Sequence, residues 1–242
     1  ATFNGLKVIH SYVVGIENVS LFRKSKYVQS VLKDSFSKVE IFLKQGKKVI
    51  FSGTPCQVSG LRSYLGKEYD NLLCIDLICH GVGSPKVFEK SLEYINNNYN
   101  SKIIKYTFRY KRVIMGNFLE YASNYVFENN KSYIKYMDVY NQLFLSQLCL
   151  RNSCQSNCRF RTSNRMGDIT IGDFKGKTKI FPELNDFRNY STIIVNSKKG
   201  HLVFNMLNKR MDIIPCKLED IKKYNPLFYR TTYDNPLREK FF

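Results

Sequence analysis

Apolar positions recur at two different periods along this chain. In the first hundred residues, continuous apolar runs alternate with segments of helical spacing. Residues 6–10, "LKVIH", suit a short strand, and Val28, Leu32, Phe36, Val39 and Leu43 then fall at helical spacing, with Gly46 placed as a stop. "KKVIFS" (47–52) has the compact apolar character of a buried strand, and "QVSGLRSYL" (57–65) reads as a helix. "NLLCIDLIC" (71–79) is nearly all apolar, as expected of a strand covered on both faces. Ser84 is a natural N-cap with Pro85 at the first helical position, and Phe88, Leu92 and Ile95 continue an apolar face. The stretch from 25 to 98 therefore predicts helix–strand–helix–strand–helix, a βαβ unit whose two strands run parallel.

The period changes in the second half. "KIIKYTFRYK" and "LEYASNYVFE" alternate apolar and polar residues, the pattern of antiparallel strands. "YNQLFLSQLCL" (140–150) predicts a helix, followed by a cysteine- and arginine-rich loop and the strand "GDITIGDF". "YSTIIVNS" (190–197) predicts a strand, "HLVFNML" (201–207) a short helix, and "MDIIPCK" (211–217) a last strand. The expected architecture is one mixed α/β domain over 1–242. It has a central mixed sheet, a βαβ unit in its N-terminal part (1–98), and antiparallel strands with the Cys/Arg-rich loop in its C-terminal part (99–242). The opening "ATFNGLKVIH" reads as a strand entered partway, as if the chain began inside a longer protein.

Composition narrows the function. No apolar run approaches the roughly 20 residues of a membrane span, and the N-terminus has no secretory pattern, so a cytoplasmic protein is expected. Lys and Arg number 38 against 20 acids, a formal charge of +18, which favours an anionic partner or describes a generally basic surface. The chain lacks zinc-finger spacing, an RNA-recognition signature and a Lys/Arg tail, so nucleic acid is not favoured as the partner. Seven cysteines, an odd number without a secretory signal, point to metal or redox chemistry rather than a disulfide scaffold.

The stretch "VIFSGTPCQVSG" (49–60) has the strand, tight turn and helix start of a phosphate-binding loop. It lacks the Gly-Lys-Ser/Thr ending such a loop needs and places Cys56 at the turn. In open α/β sheets functional groups gather beyond the carboxyl ends of parallel strands. Strand 47–52 delivers Cys56 there and strand 71–78 delivers Cys79. "LRNSCQSNCRFR" (150–161) adds Cys154 and Cys158, three residues apart. Four thiols suit a 4Fe–4S cluster and equally a tetrahedral zinc. Arg151, Arg159, Arg161 and Arg165 accompany the Cys154/Cys158 pair, with no acid before Asp168; cationic neighbours favour the reduced form of an anionic cluster. Cys74, Cys149 and Cys216 read as core thiols, and Asp76, on the Cys74 face of its strand, as structural.

The strings "RKSKYVQS", "VIFSGTPCQVSGLRSYLGKEYDNLLCIDLICHGVGSPKVF" and "DITIGDFKG" resemble the coenzyme F420 hydrogenase/dehydrogenase β-subunit family, and the resemblance runs over nearly the whole chain. The resemblance implies an iron–sulfur flavoprotein oxidoreductase that relays electrons through FAD between a reduced carrier and an acceptor. Cys56, Cys79, Cys154 and Cys158 would be cluster ligands. Ser25, Lys26, Tyr27, Gln29 and Ser30, placed at a helix start, would hold the flavin pyrophosphate, and Gly53 and Thr54 would let the backbone approach the flavin. The implied partners are a ferredoxin-like module or another electron-donor protein, and a small redox substrate such as coenzyme F420, another deazaflavin or a nicotinamide. The N-terminal ferredoxin run that many bacterial relatives carry is not in this sequence. The chain departs from the family in its Cys154-x3-Cys158 spacing, one residue longer than usual, and in "DFKG", where Lys175 stands for a common tryptophan. The alternative is a non-catalytic scaffold, stabilised by zinc or a cluster and binding an anionic partner; family analogy would place it in surface-polysaccharide synthesis.

Overall fold

The structure is a computed structural model and describes residues 1–110, 112–114, 117–119, 121–156, 158–184, 190–229 and 234–242. In chain order its first elements are β1 (Thr2–Asn4), β2 (Lys7–Ile9), α1 (Ser35–Lys44), β3 (Val49–Ser52), α2 (Pro55–Leu65), β4 (Leu72–Leu77) and α3 (Pro85–Tyr99). There follow β5 (Ile103–Thr107), β6 (Arg112–Ile114), β7 (Asn117–Leu119), β8 (Ala122–Phe127), β9 (Ser132–Tyr136) and α4 (Val139–Leu145). The last are β10 (Ile169–Asp173), α5 (Lys177–Ile180), β11 (Ser191–Val195), α6 (Lys198–Leu207), α7 (Leu218–Tyr224) and α8 (Arg238–Phe241). This is the mixed α/β fold that the pattern predicts. Among the described residues no helix is long and apolar enough to cross a membrane.

The chain packs as two compact units. The first comprises Ala1–Ser35, Gly81–Asn157 and Thr232–Phe242, the second Phe36–His80 and Cys158–Thr231. The second unit holds a four-stranded sheet in the order β11-β10-β4-β3. β3, β4 and β10 are parallel, and β11 runs antiparallel at the edge. Alternation along the strands sends Phe51, Leu72 and Cys74 to one face, where they meet Val39 and Leu43 of α1 and Val58, Leu61 and Leu65 of α2 in a single core. β3, α2 and β4 are thus the predicted βαβ unit, with its strands adjacent and parallel.

The first unit is built on the antiparallel sheet β5-β8-β9. Phe88, Leu92 and Ile95 of α3 and Tyr140 and Phe144 of α4 share its core with Tyr106, Phe108, Tyr125 and Phe127, so much of the chain's aromatic content is spent here. Asp138 is buried at the start of α4. Its carboxylate accepts from the backbone N–H of Asn141 (2.8 Å) and from the hydroxyls of Tyr106 (2.5 Å) and Tyr125 (2.7 Å), so the negative charge is compensated by three donors. Burial, followed by this carboxylate, pushes both tyrosine hydroxyls above their ordinary range, so they stay protonated donors.

Three predicted elements differ. The apolar spacing from Val28 to Leu43 is not one helix: α1 begins at Ser35, and residues 27–31 are extended. Their backbone groups are taken by β2 and by the loop at Gly83: Gln29 N–H donates to Gly83 O (3.0 Å), Gly83 N–H to Tyr27 O (3.1 Å) and Val31 N–H to Val8 O (3.0 Å). A Cβ on Gly83 would lie 2.1 Å from the Tyr140 hydroxyl, so this close crossing requires glycine. The helix predicted over 140–150 ends at Leu145, and Gln147 adopts φ 69° in the turn beyond it. "MDIIPCK" forms no strand: residues 211–215 are exposed and pair with no sheet, and Cys216 is half-buried rather than a core thiol.

Candidate functional site

Two thiols of the second unit leave the sheet at one edge because their strands are parallel neighbours. β3 ends at Ser52, opposite Ile75 of β4, and the chain turns through Gly53 and Thr54 into α2, whose second residue is Cys56. Pro55 fills the first helical position, where no N–H is needed. Thr54 N–H donates to Gln57 Oε1 (3.0 Å), which fixes the helix start. The Cys56 thiol is exposed, with its sulfur 3.0 Å from the Thr54 hydroxyl. β4 ends at Leu77, and two residues later Cys79 is half-buried.

The segment carrying Cys158 is tied to the same strand. Arg161 N–H donates to Cys158 O (3.4 Å), and the Arg161 guanidinium donates to the backbone oxygen of His80, the residue after Cys79. Four residues on, Arg165 donates to Asp76 Oδ1 (3.1 Å) and to Leu77 O (2.8 Å), and its guanidinium lies over the Phe228 ring at 5.3 Å. Asp76 is fully buried in β4. Its carboxylate also accepts from the backbone N–H groups of Met166 (3.2 Å) and Gly167 (3.0 Å) and from the Thr170 hydroxyl (2.5 Å). A buried carboxylate with four donors, one of them a guanidinium, is the compensated form of a buried charge. Asp168 completes the attachment. Its carboxylate accepts from Cys74 N–H (2.7 Å), its own N–H donates to Cys74 O (2.7 Å), and Arg62 stands 3.4 Å away. The run from Cys158 to β10 is therefore fastened onto β4, the strand that delivers Cys79.

Burial sorts the other cysteines. Cys74 and Cys149 are fully buried, and burial pushes each thiol up to about 11, so both hold their protons and are poor metal donors. Cys154, at the end of the short turn Asn152–Cys154, is half-buried and packs against the core of the first unit. No disulfide joins any of the seven cysteines. Thiols of this number and exposure fit the donor chemistry of an iron–sulfur centre. Among the described residues, however, no group of three or more His, Cys, Asp or Glu side chains stands close enough to hold a metal ion.

The flavin candidates lie in different settings. Ser25 to Ser30 lie in a segment of the first unit that is tied to its neighbours by isolated bridges at Val28 and Val31, and the next helix, α1, begins only at Ser35. The Tyr27 ring stacks on Phe144 (4.7 Å between centroids), the Ser30 hydroxyl pairs with His10 Nδ1 (2.8 Å), and Gln29 N–H is committed to Gly83. The Tyr27 ring and the Ser30 hydroxyl are thus engaged within the first unit, and no helix starts at this segment. Lys26 is the cation among them. Its ammonium donates to Arg23 O (2.6 Å) and Lys24 O (3.2 Å), and burial, then the charge of Lys24, lowers its pKa. Gly53 and Thr54 lie in the turn of the second unit. A Cβ on Gly53 would meet the Gln57 side chain at 3.1 Å and the Phe51 ring at 3.2 Å, a close fit between α2 and β3.

The sequence reading missed the Asp76–Arg165 pair. An acid inside an all-apolar strand was the available signal, but its partner lies 89 positions away.

Comparison with known proteins adds the family. The family model for the C-terminal region of the beta subunit of coenzyme F420 hydrogenase/dehydrogenase matches residues 46–221. The chain belongs to this family. The matched region includes both strand-end thiols, Cys154, Cys158 and the whole Asp76–Arg165–Asp168 attachment. The family's activity is the redox chemistry of hydrogenases and dehydrogenases. Among solved structures, a chain from the F420-reducing NiFe hydrogenase complex of Methanosarcina barkeri aligns with a TM-score of 0.47 and 15% identity, over 91% of this chain and 76% of that one. No curated protein matches.

Proposed function

We propose that this family member is an electron-transfer oxidoreductase module, with thiolates of Cys56, Cys79, Cys154 and Cys158 as ligands of a 4Fe–4S cluster and FAD as its second cofactor. The observation that carries the proposal is the delivery of Cys56 and Cys79 from the carboxyl ends of adjacent parallel strands, with the Cys158 turn bonded to His80 beside them. When bound, the cluster would supply single-electron transfer and FAD the exchange between one-electron and two-electron carriers. The chain's own part would be to deliver Cys56 and Cys79 from neighbouring strand ends and to fasten the segment carrying Cys158 onto β4. Asp76 and Asp168 keep the Cys158 segment on β4, and the guanidinium of Arg161 brings positive charge to that end of the sheet, which favours the more negative, reduced state of a thiolate centre. Lys26 is the cation offered to a flavin phosphate. The donor is a reduced carrier of ferredoxin or deazaflavin type.

The test is purification without oxygen, with a visible spectrum and analysis for iron, sulfide and flavin. A brown-yellow protein containing all three supports the proposal. Cys56→Ser, Cys79→Ser, Cys154→Ser and Cys158→Ser should each lose most of the iron, while Cys74→Ser keeps it. A colourless protein holding stoichiometric zinc would instead establish the scaffold alternative.

A further inference from the structure

Helix α6 is turned so that one apolar face looks away from the protein. Its start is clamped to the second unit's sheet: Gly200 N–H donates to the Ser197 hydroxyl (3.0 Å), which donates to Asp168 Oδ1 (2.7 Å). The Lys199 ammonium reaches inward to Tyr69 O (2.6 Å) and Leu72 O (2.8 Å), and Gly200 is buried. With that side fixed, helical spacing puts Lys198, Leu202, Met206 and Lys209 on the opposite side. Leu202 is 67% exposed and Met206 78%, values of side chains that touch almost nothing. The apolar exposure continues past the helix. Residues 205–215 are exposed without interruption, and Leu207, Met211, Ile213 and Ile214 are among the large apolar side chains open to water. Several such side chains within one short stretch of chain suit an interaction site.

Charge selects the occupant. From Lys198 to Ile214, the stretch that carries the exposed apolar residues, the outward cations are Lys198, Lys209 and Arg210 against the acid Asp212, with Lys217 and Glu219 of opposite sign just beyond. A second copy of this chain would bring the same cations together on a molecule already at +18. The exposed apolar residues here are Leu, Met and Ile, without Trp or Tyr, the aromatic anchors on which protein interfaces most often centre. Flexible aliphatic side chains flanked by Lys and Arg are what an interfacial helix lays into a negatively charged bilayer surface.

We propose that α6 and the segment after it, through Leu202, Met206, Ile213 and Ile214 with Lys209 and Arg210, dock this protein on an anionic lipid surface. The contact is peripheral, with the aliphatic side chains in the headgroup–acyl boundary and the cations among the headgroups. It does not depend on the cluster or the flavin.

Flotation of the purified chain with vesicles tests it directly. Phosphatidylcholine vesicles containing phosphatidylglycerol should carry the protein, pure phosphatidylcholine vesicles should not, and raised salt should release it. Replacing Leu202, Met206 and Ile213 together by Ser should weaken binding more than about tenfold while the variant keeps a cooperative melt, since Leu202 and Met206 pack on little. Lys209→Ser with Arg210→Ser should weaken it by about 30-fold, while Lys131→Ser with Lys135→Ser, exposed cations of the first unit, should have a much smaller effect. Absence of binding to the anionic vesicles overturns the proposal. So does wild-type binding by the triple Ser variant, or equal losses from both cation pairs, either of which would reduce the effect to bulk charge.

Discussion

At the scale of single residues, burial decides which cysteines are available for chemistry. Cys56 stands in water at the start of α2, whereas Cys74 and Cys149 have no exposed surface. Burial raises the latter two thiols from an ordinary value near 9 to about 11, so the folded chain holds their protons more tightly than the unfolded chain does. Stability from each is therefore complete below about pH 9 and is lost as pH rises through about 11. A change of about two pKa units corresponds to roughly 3 kcal/mol per thiol. The expected outcome is a melting temperature that falls steeply between these values. In Cys74→Ala the alkaline fall should be shallower, so its deficit at pH 8 narrows by about 2 kcal/mol at pH 11 in urea titrations. The sequence separated these thiols only in part. Cys74, inside "NLLCIDLIC", is legible as a core residue, but Cys216, which follows Ile213, Ile214 and Pro215, is half-buried, because its segment pairs with no strand.

At the scale of elements, spacing named most strands well, but it placed a strand over 211–217 that does not form and a helix over Val28 and Leu32 that is not one. β3, β4, α2 and α3 carry strong local signals: apolar runs of strand length, Pro at the first helical turn and Ser84 as N-cap, whose hydroxyl accepts from Val87 N–H (3.4 Å). Val28 and Leu32 matched a helical period, yet their segment is extended because Val8 and Gly83 offer it backbone partners, and such offers do not appear in a local window. The bond between β4 and the 158–170 segment is also an element-level event, and Asp76 is its centre. Asp76→Ala would leave the Arg165 guanidinium buried without its carboxylate and remove the acceptor of Met166 and Gly167 N–H. The expected cost is about 3–5 kcal/mol in urea unfolding, with hydrogen exchange quickening from Cys158 to Thr170. Asp76→Asn keeps an acceptor and should cost less.

At the scale of the whole molecule, neither compact unit is a continuous piece of chain. The second unit takes β3 and β4 from Phe36–His80 and β10 and β11 from Cys158–Thr231. The first unit's core draws on Val8, on Phe88 and on Phe144 and Leu150. A fragment of residues 1–98 therefore keeps β4 without β10 and α3 without the sheet β5-β8-β9. It is expected to show no cooperative melting and no protected amides, and a sharp thermal transition in the isolated fragment would contradict this account.

Several things follow from the amino-acid sequence by itself. It determined the mixed α/β class, the parallel βαβ unit around Cys56 and Cys79 and the basic charge, because each depends on local period, capping residues or composition. Its long strings also resembled the family that the match over 46–221 established. Tertiary structure decided that Asp76 meets Arg165, that Asp168 holds Cys74, that Tyr27 and Ser30 serve the core, and that α6 turns Leu202 and Met206 outward. Each of these depends on contacts between residues far apart in the chain, or on which side of an element finds a partner. Local propensity carries no record of either.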